Sequence, residues 1–593
     1  MRAMAQERLN NFQALAIFGS DAISSSVYAG EEIMLGLMAA GTVLFSASLP
    51  IALAISLLIV FVTLSYREIV HAYPQGGGVY NVAKANLGEF AGLFGAASLL
   101  IDYTLTVAVS ISAGVAAITS AFPELFHYRV VLGIMAILFL TWMNLRGVRS
   151  AGRLFSLPTY FFIASMLLLI GTGFWRFLTG TLPVFSISNL AHEPIGYLGI
   201  FILLKAFSSG CAALTGIEAI SNGVRAFKPP ESKNAAKIMF RLSALLILIF
   251  LGITFLAFQM HVIPVKEEMM VSQIAQALFG KNLIYFVIQI FTFLILFLAA
   301  NTPFAGFPRL IAIMAGAGYM PKQLFALGSR LVFSRGIVAL SFISILLVFI
   351  FQGSTHALIP LYAVGVFLGF SLSQLGMIVH WQKVGVKKHF KSILINSIGF
   401  LATSIVFVVV LFSKFSHGAW VLLPMIFLVV FVAKKINNYY AKAEKKLEIK
   451  KNQLSGTSLK EIMMVVLVSK IDRRTVEATY FAGSFHETKL AAFHVAFDHR
   501  SGEELRQEWG ELFPNIPITV KTDEFRETIP SILDYLAELD DLWSGKIVVV
   551  VPMVVPTTHM AEYLHNQTSR KIIEAIRENP RNNVEILEIP IKI

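Results

Sequence analysis

Long apolar runs without a basic residue decide the solvent this chain must fold in. A bilayer core of about 30 Å takes roughly 20 apolar residues per helical crossing. Windows of that length without lysine or arginine recur as far as about Lys434; one closes at Phe61–Tyr66 and another contains Phe342–Phe351. Charged residues make up only 14% of the chain and hydrophobic ones 56%, where a soluble domain is about 25% charged. The runs are continuous and do not alternate apolar with polar positions, so they read as helices and not as strands of a β-barrel.

Twelve spans are expected, at about 13–40, 47–70, 88–121, 129–146, 154–178, 195–222, 236–260, 282–312, 335–352, 357–380, 391–413 and 417–434. Alternate loops carry Arg146, Arg149 and Arg153; Arg225, Lys228, Lys233 and Lys237; Lys322, Arg330 and Arg335; and Lys383, Lys387, Lys388 and Lys391. The intervening loops around Gly41–Ser46 and Gly353–Ala357 carry none. This asymmetry places both termini in the cytoplasm. It also accounts for the net charge of +12 without nucleic acid as a partner. The single cysteine, Cys211, excludes an intramolecular disulfide and a multi-cysteine metal site. Met1–Asn11 is short and polar, and the apolar segment after it carries Asp21, so it reads as a retained helix and not a signal peptide.

Beyond a transport domain at 1–434, residues 435–455 read as a basic linker and 456–593 as a soluble α/β domain. Strands are expected at Ile462–Ser469, Ala491–Phe497, Ile518–Lys521, Lys546–Val551 and Val584–Ile589, with helices such as Glu503–Leu512, Ile529–Leu539 and Glu562–Ile576. That alternation predicts a parallel, doubly wound sheet of universal-stress-protein-like arrangement. It contains neither GxGxxG nor GxxxxGK[ST]. A dimerising tail and a ligand-sensing one both fit. The sequon His565–Thr568 has no use in the cytoplasm.

Transporters bind cargo at mid-bilayer, where unwound helices free backbone groups. Gly19-Ser20-Asp21-Ala22-Ile23-Ser24-Ser25-Ser26-Val27-Tyr28-Ala29-Gly30 in the first span and Phe207–Glu218 in the sixth are small-residue and hydroxyl-rich interruptions five helices apart. Their correspondence predicts a five-plus-five inverted repeat of the leucine-transporter type, with both helices broken. Close helix packing is the plainer use of such residues. Asp21, Asp102 and Glu218 stand out as acids within spans, a placement that costs about 2.5–3.5 kcal/mol each on insertion scales. Asp102, Thr106 and Ser110 share a helix face, and Thr215 and Glu218 are neighbours three apart. Hard oxygen donors suit an alkali cation or a proton. Lys205 could neutralise one acid but not all three. A carboxyl in a low-dielectric cavity keeps its proton more readily than one in water, which qualifies it as a proton carrier. Tyr28 and Tyr362 are candidates for gating or for ordinary packing. The remaining histidines, His71, His380 and His389 among them, read as solvated, and Tyr73–Tyr80 as a glycine-hinged gate or turn.

With these motifs in view, the chain resembles the KimA-type potassium importers, of the potassium-uptake family in the amino acid–polyamine–cation superfamily. The resemblance rests on Ser20-Asp21-Ala22, Tyr73–Gly78, Leu100-Ile101-Asp102-Tyr103, Lys205–Cys211, Ala213–Ser221 and Leu361–Phe367, and it is looser in the tail. It implies a cation path formed by Asp21, Tyr28, Asp102, Thr106, Ser110, Thr215, Glu218 and Tyr362, with potassium at Asp21, Asp102, Thr215 and Glu218 and the coupling proton on Glu218 or Asp21. It further implies a bacterial inner membrane, a homodimer and inhibition by cyclic di-AMP, with no resident cofactor and no enzymatic activity. The main rival is a proton-coupled amino acid or polyamine permease of the same fold. Asp21 in the first-helix motif disfavours a substrate carboxylate there, by about 4 kcal/mol at 4 Å and an effective dielectric near 20. A transport-inactive sensor would have little use for buried acids, and a channel would show a filter sequence that is absent.

Overall fold

The computed structural model describes residues 8–38, 42–76, 78–146, 152–185, 198–265, 267–325, 333–415, 418–447, 461–485, 488–523, 528–555, 567–579 and 583–592. They form two compact units that divide between Lys446 and Leu447.

The first unit is helical. Its helices are α1 (Asn11–Met38), α2 (Ser48–Ala72), α3 (Val79–Leu87), α4 (Glu89–Ala121), α5 (Arg129–Leu145), α6 (Gly152–Leu178), α7 (Leu198–Gly210), α8 (Ala219–Asn222), α9 (Glu231–Gln259), α10 (Met270–Phe279), α11 (Leu283–Gly316), α12 (Ser334–Ile350), α13 (Thr355–Gly385), α14 (Phe390–Ser413) and α15 (Leu422–Leu447). The expected spans all fall on these helices, the sixth being shared between α7 and α8. Among the described residues, ten helices are long and apolar enough to cross a bilayer. The 17 residues of α12 leave it just short. In α1 the serines, glycines and acids dilute the hydropathy, and the helix tolerates this because its neighbours enclose it: Asp21 through Ile33 are buried without interruption. Lipid-type surface lies on the outer helices instead, where Met135, Phe139, Phe161, Trp175, Phe412 and Phe431 are exposed. The chain is a multi-pass membrane protein.

Helix ends follow local chemistry. Asn282 caps α11, its Oδ1 accepting the N–H of Ile284 at 3.0 Å and of Tyr285 at 3.2 Å. Gly88, at φ 98°, separates α3 from α4. Basic residues do not stop α15, which stays helical to Leu447; the rest of the expected linker lies outside the described residues.

The second unit is a five-stranded sheet, β1 (Ile462–Val468), β2 (Thr488–Ala496), β3 (Ile518–Thr522), β4 (Lys546–Val555) and β5 (Val584–Lys592), in the order β3-β2-β1-β4-β5 with parallel pairing throughout. Helices α16 (Arg473–Gly483), α17 (His499–Leu512), α18 (Thr528–Leu542) and α19 (Gln567–Glu578) complete it. Central β1 is apolar on both sides, as a doubly covered strand must be. Val465 and Leu467 pack with Phe493, Ile532 and Ile573; Val466 and Val468 pack with Ala478, Trp509 and Phe513. Residues 562–566 of the expected last helix, which include His565 and Asn566 of the sequon, lie outside the described residues.

Helix α16 is charged and weakly periodic, and it starts on a cap. Asp472 accepts the N–H of Arg474 at 3.0 Å and is gripped by the Arg474 guanidinium. Burial alone would raise the Asp472 carboxyl, but the Arg474 side chain and the backbone N–H groups outweigh it and hold the group below the usual carboxylate range. A depressed folded-state pKa stabilises the fold above the unfolded value, near 4, and the effect is lost as pH falls through the folded value. Asp472→Ala should therefore weaken α16 by about 1 kcal/mol at neutral pH. Hydrogen exchange of the α16 amides in the full chain will read this as faster opening, with the difference from wild type shrinking in strong acid.

Candidate functional site

The sixth span opens where its glycines allow. After α7, Cys211–Leu214 makes one 3₁₀ turn, Thr215 is extended, and Gly216 adopts φ 83° before α8 begins. Thr215 Oγ1 donates to the Ala212 carbonyl at 2.9 Å, which satisfies one backbone group freed by the break. Gly216 is pressed against α1. A Cβ there would lie 2.7 Å from Ala22 N and 3.0 Å from Asp21 Cγ, so both the conformation and the space demand glycine.

The first span does not break, which corrects the expected pair of broken helices. Helix α1 runs unbroken from Asn11 to Met38. Ser20, Ser24, Ser25 and Ser26 donate to carbonyls three residues back, at 3.1, 2.8, 2.6 and 2.6 Å, so their hydroxyls are absorbed within the helix. Its glycines serve packing: a Cβ on Gly36 would sit 2.6 Å from Ala206 Cα, and one on Gly30 would sit 2.9 Å from Thr254 Oγ1. Ser25 also reaches the Ala213 carbonyl in the break at 3.2 Å. One helix opens, and the other lies intact against the opening.

Asp21 on α1, Asp102 on α4 and Glu218 beside the break line one cavity of about 250 Å³. Its other walls include Gln75, Gly78, Tyr80, Asn222 and Arg309, at the end of the bundle that carries the basic loops. A second pocket of about 20 Å³, room for about one water-sized particle, lies beside it between Asp102, Glu218, Tyr66, Ser98 and Asn222. Asp21 and Asp102 are buried. Asp102 Oδ1 and Glu218 Oε2 are shielded and lack a hydrogen-bond partner among the described residues. Among the described residues, no lysine or arginine forms an ion pair with the three acids. Lys205 does not approach them; it lies near Lys414, whose charge it opposes.

The remaining expected residues form the walls. Thr106 Oγ1 bonds the Tyr362 hydroxyl at 3.1 Å and its own helix at Asp102 O, 2.9 Å away. The Tyr28 hydroxyl faces Thr215. Ser110 is buried one turn beyond Thr106 on α4. Sequence reasoning passed over Ser98, which continues the four-residue spacing of Asp102, Thr106 and Ser110 and bonds the Gly365 carbonyl at 2.5 Å. Asn222 and Tyr66 carried no pattern that marks them. Glu31 and Glu32 also lie in the first span, yet close to its end; both are buried, against His356. His356 is thus paired where the expectation was a solvated histidine, and His380 contacts the Tyr73 hydroxyl at 3.4 Å. The glycine loop packs over Asn222: Gly78 leaves no room for a Cβ beside Asn222 Oδ1, and Arg225 bonds Gln75 at 2.8 Å. Gly77 lies outside the described residues.

Buried, unpaired carboxylate oxygens beside a helix break can hold a desolvated cation or a proton. Comparison with known proteins bears on which. Residues 9–433 match the amino acid permease family, and residues 460–590 match the KimA potassium transporter C-terminal domain. The chain is 38% identical to potassium transporter KimA of Bacillus subtilis over 571 residues, covering 96% of this chain and 93% of that protein. It is 24% identical to the low-affinity putrescine importer PlaP of Escherichia coli over 283 residues, 46% of this chain and 61% of that one. A crystal structure of the Eremococcus coleocola manganese transporter superposes with a TM-score of 0.42 at 12% identity, over 74% of this chain and 96% of the other.

Gly216→Ala should cost about 2 kcal/mol or more, from left-handed backbone strain and the clash with α1. A thermal melt of the purified protein should show a clear fall. An unchanged melt would mean that the break relaxes freely.

Proposed function

This chain belongs to the KimA potassium transporters of the amino acid permease family, and from that membership we propose that it is a proton-coupled secondary importer of potassium across a bacterial plasma membrane. The observation that carries the reading is the trio Asp21, Asp102 and Glu218 around one cavity, with two oxygens lacking any partner. Carboxylate, hydroxyl and carbonyl oxygens replace the hydration shell of the ion. Asp21, Asp102, Thr215 and Glu218 coordinate potassium, and Tyr28, Thr106, Ser110 and Tyr362 complete the path. The proton rides on Glu218 or Asp21.

The basic loops set the sidedness: both termini and the 250 Å³ cavity face the cytoplasm. The described conformation is therefore the inward-facing one. Three acids repel the carboxylate of an amino acid and favour a cation, which supports potassium over an amino acid; a polyamine, itself cationic, is distinguished from potassium by uptake. For the tail, a dimerising role and regulation by cyclic di-AMP are proposed on the family match of residues 460–590. The switch point of its sheet, between the carboxyl ends of β1 and β4, is where ligands of such folds bind.

Expressed in a bacterium lacking its own potassium uptake, the wild type should restore growth in micromolar potassium, most strongly in acid medium. Asp102→Asn and Glu218→Gln should each lower uptake at least about tenfold while the purified variants still melt cooperatively. Rescue that ignores external pH would remove the proton from the scheme. No rescue despite good expression, together with uptake of labelled putrescine or amino acids, would replace potassium with an organic substrate.

A further inference from the structure

The acids of the path lie toward the cytoplasmic end of α1. Ten residues on, about 15 Å along a helix, Glu31 and Glu32 are buried at 2% and 3% exposure. Facing them is His356, in the first turn of α13. Its Nδ1 is 2.6 Å from Glu32 Oε1 and its Nε2 is 3.6 Å from Glu31 Oε1. Glu31 Oε2 accepts the N–H of Met270, the first residue of α10, at 3.2 Å. Helix α10 is itself tied to α4, since Met269 N donates to Ser120 Oγ at 3.0 Å. The imidazole thus ties α13 to α1, and Glu31 extends the tie to α10. A small cavity of about 30 Å³ is lined both by Tyr28, a wall residue of the path, and by Glu31 and His356.

We propose that His356, clasped by Glu31 and Glu32, is a proton-responsive latch that closes the external end of the transport path. This rests on the inward-facing reading above, with Asp21, Asp102 and Glu218 as the cargo site. Nδ1 is within hydrogen-bond distance of Glu32, and Nε2, at 3.6 Å, meets Glu31 at an ion-pair distance. A neutral imidazole can donate its one N–H to Glu32 but offers Glu31 no charge, whereas the imidazolium is a cation beside both buried carboxylates. The closed arrangement therefore favours the imidazolium, and opening relaxes that preference. Closure takes up a proton and opening releases it, so rising external pH shifts the resting latch toward open, while the acid stimulation expected of uptake acts at the acids of the path during turnover.

The neighbouring charges set the balance. Lys414, at the end of α14 and only 6% exposed, acts on both Glu32 and His356. Lys205 on α7 stands beside Lys414. Glu267 and Glu268 border the same small cavity as His356. Arg129 at the start of α5 holds the loop before α13, through the Gln352 carbonyl at 2.8 Å.

The test needs no potassium. Ala113 is fully buried on α4, one turn past Ser110 toward the latch. In full-length Cys211→Ala carrying Ala113→Cys, a membrane-impermeant thiol reagent is applied from the external side while external pH is stepped from about 6 to about 9.5. The thiol ionises over this range on its own account, so each rate is divided by that of the same reporter with His356→Gln. That ratio should lie well below one in acid and rise severalfold toward one in alkali. His356→Lys, a permanent cation, should keep the ratio low and nearly flat, and Glu32→Gln should raise it; melting curves verify that each variant is folded. A ratio near one at every pH overturns the latch, and so does a His356→Lys protein as open as His356→Gln. Because labelling reads access and not cargo, a working latch with no potassium uptake would fault the substrate assignment instead.

Discussion

Two shielded carboxylate oxygens, on Asp102 and Glu218, have no hydrogen-bond donor among the described residues. Such a group is among the most costly features a folded chain can carry, and neighbours normally remove the cost by pairing it. Here Lys414 stands by Glu32 and Lys205 instead, and Arg309, which lines the cavity, forms no ion pair with these acids among the described residues. The interior thus carries carboxylates without a paired cation, an arrangement suited to a mobile cation or proton. The break in the sixth span leaves the chain non-helical just before Glu218, and the Thr106–Tyr362 bond fixes hydroxyls at the wall.

The two sides of this site are unlike in stiffness. Between Gly210 and Ala219 the chain has one 3₁₀ turn and a glycine in the left-handed region, so few backbone bonds hold it to a single shape. Opposite it, α1 keeps its full helical ladder, reinforced by four serine hydroxyls. Gly216 makes the contact between them, its backbone against Asp21 and Ala22. A rearrangement of the break is therefore felt at an acid of the site at once, with no intervening side chain to absorb it.

Much of this was legible in the sequence because it follows from solvent. Apolar runs set the spans, and the run IMMVVLV of β1 reads as a strand covered on both sides. The acids Asp21, Asp102 and Glu218 stood out because charge in such runs is rare. What could not be read was whether a serine-rich stretch unwinds. Gly19–Gly30 and Phe207–Glu218 have similar compositions, but serine can return its hydroxyl to its own helix. The difference was made by Gly216, where the close approach of α1 excludes a Cβ. The pairing of His356 with Glu31 and Glu32 was hidden for another reason: the residues are more than 300 positions apart, and each sits near a span end, where a polar residue excites no suspicion. Charged α16 was invisible because its start depends on one cap, Asp472, and not on periodicity.

The continuity of α1 is what gives the molecule a means of relating its two ends. Asp21 and Glu31 lie on one unbroken rod, and its hydrogen-bond ladder does not allow one to shift along the axis without the other. Had the first span broken at Gly19–Gly30, as its sequence suggested, the outer glutamates could have stayed on His356 while the inner acid moved with its cargo. With the rod intact, any motion of α1 that relieves repulsion among Asp21, Asp102 and Glu218 also displaces Glu31 and Glu32 from a histidine on a different helix. The flexible element is then confined to the break in the sixth span, and the rigid one carries a displacement from one group of acids to the other, a division of labour that would suit alternating exposure of one site.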